Sequence, residues 1–157
     1  MMEQFDLHLT RASVNDVNIL FEWRNDDTVR KNSLSTQKIT YEEHAEWFAK
    51  KINEKNCLLY ICYLGLVPVG QIRIDVAENE GKISYSVDRK YRNKGIGHYI
   101  INNLDYILKE NVRGEFKLIG VVKKTNRVSK TIFIKNGFNE EDSGEESIFY
   151  KTYILNS

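Results

Sequence analysis

The sequence predicts an α/β domain of the α+β kind, with a mixed, mostly antiparallel sheet of about seven strands flanked by about four helices. Three observations carry that expectation. Residues 57–87 hold three strand-like runs, CLLYICYL, VPVGQIRIDVA and KISYSV, separated by the turn residues Gly65 and Glu80-Gly81. Other stretches repeat apolar residues at helical spacing. The chain has 157 residues, 41% hydrophobic and 29% charged, which suits one domain over residues 1–157 around a single core. A chain of this length buries roughly 70% of the surface it exposes when unfolded, so it needs neither a disulfide nor a structural metal.

The elements follow in order. Phe5, Leu7 and Leu9 alternate within residues 5–12, which predicts an opening strand. Ser13 and Asp16 form a capping-box pattern, and Val17, Leu20, Phe21 and Trp23 supply the stripe of a first helix that fades at WRNDD. Residues 25–40 read as loop. Thr40 and Glu43 repeat the capping box, and Tyr41, Ala45, Phe48 and Ile52 define a second helix over 41–53. In the meander that follows, Ile72, Ile74 and Val76 share one strand face while Gln71, Arg73 and Asp75 share the other. Residues 95–110 read as one long helix with Ile96, Ile100, Leu104, Ile107 and Leu108 on its stripe. FKLIGVV at 116–122 is a short buried strand, a helix covers 126–136, and Gly137 terminates it. The acidic EEDSGEE at 140–146 reads as a solvated turn before the last strand, SIFYKTYI.

Charge and cysteine usage narrow the partners. The net charge of +1 excludes a dedicated duplex-DNA or polybasic-membrane binder, because such partners are gripped through an excess of cations. Any anion site must then be local. Cys57 and Cys62 lie at odd spacing in one apolar run and point to opposite strand faces, so they do not pair, as in a reducing compartment. The start MMEQFDLHLTRAS lacks a signal peptide's apolar stretch, and no window approaches the roughly 20 apolar residues of a membrane span, which together predict a cytoplasmic location. His8, His44 and His98 show no ligand spacing, so no metal is expected.

The chemistry concentrates in SYSVDRKYRNKGIGHYI. A strand ending near Val87 passes through a basic loop into a helix opened by Gly95-Ile96-Gly97, whose first amides are unpaired and point at whatever sits above the loop. Arg89, Lys90, Arg92 and Lys94 place four cations within six residues of that start, so the favoured ligand is a phosphate or pyrophosphate. The pattern lacks the Gly-Lys-Ser/Thr of a P-loop and the parallel βαβ setting of the dinucleotide fingerprint.

Arg92-Asn93-Lys94-Gly95-Ile96-Gly97 resembles the acyl-CoA pyrophosphate loop, R/Q-x-x-G-x-G/A, of the GNAT superfamily of N-acetyltransferases, and the resemblance extends over nearly the whole chain. Asn126-x-x-Ser129, then Phe133, then Gly137-Phe138 resembles the helix after the fifth strand in that family. WRN-x-x-x-VR from Trp23 to Arg30, EEHAEWF and VGQIRID are similar to the branch that acetylates amino sugars in nonulosonic-acid pathways, and ribosomal-protein alanine acetyltransferases share part of this layout.

This resemblance implies a GNAT-like acyl-CoA N-acyltransferase fold and acetyl-CoA as cosubstrate, with a primary amine attacking the thioester directly. It assigns the pyrophosphate to Arg92, Asn93, Lys94, Gly95, Ile96 and Gly97, and the pantetheine arm to Ser86, Val87 and Asn126, with Ser129 and Phe133 beside it. A backbone N–H near Val87 is the expected oxyanion donor. Candidates for the base are His44 and, through water, Tyr85, because Lys82 stands near the family's usual strand-four glutamate. Phe133 takes the place of the tyrosine that commonly protonates the thiolate, which leaves that task to Tyr85, Tyr91, Tyr99 or solvent. On that account Phe133→Tyr raises kcat modestly. The alternative is a noncatalytic acyl-CoA-binding module.

For the acceptor, Gln71, Arg73 and Asp75 with Arg24, Asn25 and Arg30 offer cations and hydrogen-bonding groups suited to a sugar nucleotide and disfavour polyamines. The rival acceptor is a protein or peptide terminal amine. An exposed edge strand offers a surface for a homodimer.

Overall fold

The computed structural model describes residues 6–156, so Phe5 of the predicted opening strand lies outside the described residues. The strands are β1 (Leu7–Arg11), β2 (Cys57–Leu64), β3 (Val67–Ala77), β4 (Glu80–Val87), β5 (Gly114–Lys123), β6 (Asn139–Ser143) and β7 (Glu146–Leu155). They form one seven-stranded sheet in the order β1-β2-β3-β4-β5-β7-β6. Every neighbouring pair is antiparallel except β4 and β5, which are parallel. The helices are α1 (Val17–Asn25), α2 (Asp27–Asn32), α3 (Tyr41–Lys51), α4 (Ile96–Asn102), α5 (Leu104–Asn111) and α6 (Arg127–Lys135).

Strand alternation divides the apolar side chains between two cores. On one face Ile72, Ile74, Ile83, Phe116, Leu118 and Phe149 pack with Ile96, Ile100, Leu104, Ile107 and Leu108 from α4 and α5 and with Phe133 from α6. On the other face Cys57, Leu59 and Ile61 of β2 pack with Leu20, Trp23 and Phe48 from α1 and α3. Cys62 belongs to the first core and Cys57 to the second, as their odd spacing requires. Burying each large aliphatic side chain contributes about 1.5–3 kcal/mol, so these stripes rather than intrinsic propensity hold the short helices in place.

Both capping boxes form: Ser13 with Asp16 opens a 3-10 turn at Val14–Asp16 ahead of α1, and Thr40 with Glu43 opens α3. Three segments depart from the sequence reading. The stretch 25–40 contains α2, because the Asp26 carboxylate accepts from the Thr28 and Val29 amides and nucleates a turn with no apolar stripe to announce it. The long helix over 95–110 is two helices. Asn103 breaks it with φ −106° and ψ 18°, its side chain donating to the Tyr99 carbonyl in competition with the backbone ladder. The acidic segment 140–146 is mostly strand: β6 pairs with β7, and Gly144, at φ 71°, turns the hairpin. Its carboxylates lie along a sheet edge, where like charge discourages another strand from adding.

Candidate functional site

The parallel pair holds the cleft. β4 and β5 pair only from Glu80↔Lys117 to Lys82↔Ile119, although β4 continues to Val87 and β5 to Lys123. Each strand stays with its antiparallel neighbour instead: Val87 remains opposite Gly70 of β3, and Lys123 remains opposite Glu146 of β7. A wedge opens between them. Among the described residues, one edge of β4 along Ile83–Val87 has no strand partner, which leaves backbone groups able to bind an extended ligand that carries amides.

The basic loop lies at the mouth of the wedge. Asn93 at φ 63° and Gly95 at φ 83° both adopt the left-handed region, and Gly95 caps α4. Asn93 and Lys94 are exposed there, as are Arg89 and Lys90. Ile96 and Gly97 are buried beneath. The Arg92 side chain, expected on the pyrophosphate, is committed elsewhere: Nε donates to the Val87 carbonyl at 3.1 Å, and Nη2 donates to Asp26 Oδ1 at 2.8 Å. Burial alone would raise the Asp26 pKa. The Arg92 hydrogen bond and charge, with the Val29 and Thr28 amides, outweigh burial and hold it below the usual carboxylate range.

Inside the wedge, Asn126 caps α6 by accepting from the Ser129 amide at 3.3 Å. The buried Ser129 hydroxyl and the Tyr85 hydroxyl lie 2.8 Å apart. Burial pushes the Tyr85 pKa up to about 12 against the opposing effect of that bond, so at neutral pH its phenol is a neutral donor and not a base. Phe133 is 1% exposed and stacks on Phe149 at 5.3 Å, with Phe138 edge-on at 4.9 Å. It covers Gly120 so closely that a Cβ there would meet Phe133 Cζ at 2.8 Å. Phe133 is thus a core residue, and the Tyr85 ring of β4 meets it edge-on at 6.0 Å.

His44 is 1% exposed among Phe21, Trp47 and Phe48. Its Nε2–H donates to the Val17 carbonyl at 2.9 Å, which ties α3 to the start of α1. Nδ1 is buried with no hydrogen-bond partner. Burial first, then the Arg24 charge, lowers its pKa against the effect of the Val17 bond. The expected base is an interhelical strut whose remaining nitrogen is shut from solvent.

Two expected acceptor residues are also structural. Asn25 exchanges hydrogen bonds with the Ile39 backbone at 2.8 and 3.0 Å, and Arg30 binds the Asn25 and Thr36 carbonyls and Asp27. The others converge. Arg24 of α1 lies 4.8 Å from the Trp47 ring centroid and Arg73 of β3 lies 5.1 Å from it. Arg73 Nε donates to Asp75 at 3.0 Å, and Lys51 stands 3.8 Å from the same carboxylate. Arg24 forms no ion pair among the described residues. Desolvation first and then the Arg73 charge lower its pKa, against the opposing charge of Glu43. Next along the same face, Gln71 Nε2 donates to Ser86 Oγ at 3.1 Å.

The sequence pointed to Trp47 only as part of EEHAEWF and left it, with Asp26, outside the expected site residues. Trp47 stands off the apolar stripe that it used for α3, and an indole set apart in this way was the available signal. Asp26 lay inside the presumed loop.

Comparison with known proteins agrees with this geometry. The family described as acetyltransferase (GNAT) domain matches residues 6–139. An uncharacterized N-acetyltransferase, YfmK, of Bacillus subtilis (strain 168) is 27% identical over 110 residues, covering 70% of this chain and 73% of that protein. The spermidine N-acetyltransferase of Vibrio cholerae, solved with CoA and spermine, superposes with a TM-score of 0.80 at 16% identity, covering 97% and 96% of the two chains. An aminoglycoside acetyltransferase in complex with coenzyme A superposes with a TM-score of 0.76 at 16% identity over 93% and 94%. The match covers most of the chain, including the wedge and the loop from Arg92 to Gly97, and the chain therefore belongs to the GNAT family of acetyl-CoA-dependent N-acetyltransferases.

Proposed function

We propose that this enzyme acetylates the primary amine of an amino-sugar nucleotide, a small-molecule partner, in the cytoplasm. The observation that carries this reading is the pair of guanidinium groups held over one indole, Arg24 and Arg73 on Trp47. Two cations in contact with the same ring repel each other, and Asp75 neutralises only Arg73. An anionic group, such as a nucleotide diphosphate, relieves that repulsion, accepts the free N–H donors and stacks its base or sugar against the indole. The free cysteines, one under each sheet face, support the reducing compartment.

In the proposed reaction the loop amides from Asn93 to Gly97 take the cosubstrate's diphosphate, while the free edge of β4 takes its amide-bearing arm. The amine nitrogen attacks the acetyl carbonyl carbon, the carbon–sulfur bond breaks, and the thiolate accepts a proton. An amide on the open edge of β4 stabilises the oxyanion, a contribution worth about 3 kcal/mol of barrier. With His44 sealed and Tyr85 protonated, water in the cleft removes the ammonium proton, and the paired Tyr85 and Ser129 hydroxyls are fixed polar groups between β4 and α6.

Thiol release from acetyl-CoA with a panel of amines tests the reading. A UDP-linked 4-amino sugar should turn over, while spermidine and short peptides should stay at background. Turnover of a peptide terminus alone would replace the sugar acceptor. CoA binding without thiol release for any amine would make the chain a noncatalytic acyl-CoA module.

A further inference from the structure

Four consecutive side chains at the junction of α1 and α2 each grip a different element. Trp23 Nε1 donates to Asp88, just past β4, at 2.8 Å. Arg24 stacks on Trp47 of α3, Asn25 pins the Ile39 backbone ahead of α3, and Asp26 accepts from Arg92 in the phosphate loop. Successive positions on a helix point about 100° apart, so a helix end is where adjacent residues reach separate neighbours. The far end of α2 is fastened too, the Lys31 carbonyl accepting from Lys123 Nζ at the tip of β5 at 2.9 Å. This elbow touches both splayed strands, the phosphate loop and the cation pair. Asp26 holds the critical place in it: the same Oδ1 that caps α2 binds the guanidinium whose Nε holds the Val87 carbonyl.

We propose that Asp26 is a positioning residue through which occupation of the phosphate loop orders α2 and residues 33–40, the segment joined to the cation pair through Arg24 and Asn25. The inference rests on the acetyl-CoA reading of the wedge. A diphosphate that fixes residues 93–97 also fixes neighbouring Arg92, the ion pair carries that order to the first turn of α2, and Arg24, two residues away, carries it to Trp47. Coupling of this kind is reciprocal, so an anion on Arg24 and Arg73 tightens the cosubstrate by the same factor.

Amide hydrogen exchange on the full chain, with coenzyme A as the probe, tests this. Asp26→Asn keeps the cap, because the amide oxygen still accepts from the Thr28 and Val29 N–H groups, and removes the charge that binds Arg92. Saturating coenzyme A should slow exchange at residues 93–99 in both proteins. It should slow residues 24–40 by about tenfold in the wild type and leave them unchanged in Asp26→Asn. Arg92→Gln, which breaks the link from the other side, should reproduce the loss. A plain structural ion pair would change stability without this ligand response. The proposal is overturned if saturating coenzyme A leaves residues 24–40 unmoved in the wild type, or if both variants respond as the wild type does. Failure of coenzyme A to protect residues 93–99 in the wild type overturns the acetyl-CoA reading itself, so the two failures are distinct. Should Asp26→Asn not fold, the wild-type response and Arg92→Gln decide the matter.

Discussion

Tyr85 and Ser129 join strand β4 to helix α6 across the open wedge, hydroxyl to hydroxyl at 2.8 Å. Removing the phenol oxygen strands a buried serine hydroxyl. Tyr85→Phe should therefore cost about 1–3 kcal/mol in urea unfolding, whereas the double variant with Ser129→Ala should cost less than the sum of the two singles. The Tyr85 pKa, pushed up to about 12, means that the folded state holds its proton where the unfolded chain has begun to lose it. This group's stability contribution is present below about pH 10 and is lost as pH rises toward 12.

The surroundings of Phe133 reverse the sequence-based expectation for Phe133→Tyr. Its Cζ atom is the one that a Cβ on Gly120 would meet at 2.8 Å, so a hydroxyl at that carbon is driven toward β5 and not into the cleft. The substitution should lower stability by about 1–3 kcal/mol through overpacking and should not raise kcat. Thermal unfolding and steady-state thiol release check the two halves.

His44 folds in its neutral form. Its pKa is lowered by burial, so the unfolded chain binds the proton more tightly, and its contribution to stability falls as pH drops below about 6.5. Urea unfolding at pH 7 and pH 5 should show a smaller acid loss for His44→Phe than for the wild type. An unchanged difference would return His44 to a solvated, titrating role.

Arg73→Gln keeps a polar side chain at the cleft and removes one of the two charges on Trp47. KM for a UDP-linked amino sugar should rise about tenfold, with a smaller change in kcat, because a charge-assisted contact to the acceptor is lost in ground and transition states alike. Arg24→Gln should act in the same direction.

Gly95 and Gly144 both occupy left-handed backbone, at φ 83° and φ 71°. An aspartate at either position pays a similar conformational penalty of about 1 kcal/mol, so their stabilities should fall together. Only Gly95→Asp places a carboxylate in the phosphate loop, and only it should weaken coenzyme A in isothermal titration. Equal affinities would remove the diphosphate from this loop.

Much of the architecture was legible because it rests on local periodicity. The alternation in β2 and β3 sorted Cys57 from Cys62 and Gln71, Arg73 and Asp75 from Ile72 and Ile74, and the Ser13 and Thr40 boxes marked helix starts. The Gly95-Ile96-Gly97 turn was legible for the same reason, since a left-handed cap followed by a helix is a short-range event. What failed locally was what no stripe announces: α2, the break at Asn103, and the charged strand β6.

The sequence by itself determined the strands, most helices, the glycine turn that opens α4 and the family, because hydrophobic period, caps and glycine conformations depend on neighbours a few residues apart. Only the tertiary structure decided which polar side chains face the cleft. Asn25, Arg30, Arg92 and His44 are hydrogen-bonded to partners up to 66 residues away in the chain, and Phe133 stacks in the core. Packing joins α1, α3 and β3 at one ring, with Arg24 and Arg73 both on Trp47, and leaves Arg24 without an ion pair among the described residues. A side chain's role is settled by which partner satisfies it first, and that competition is decided in three dimensions.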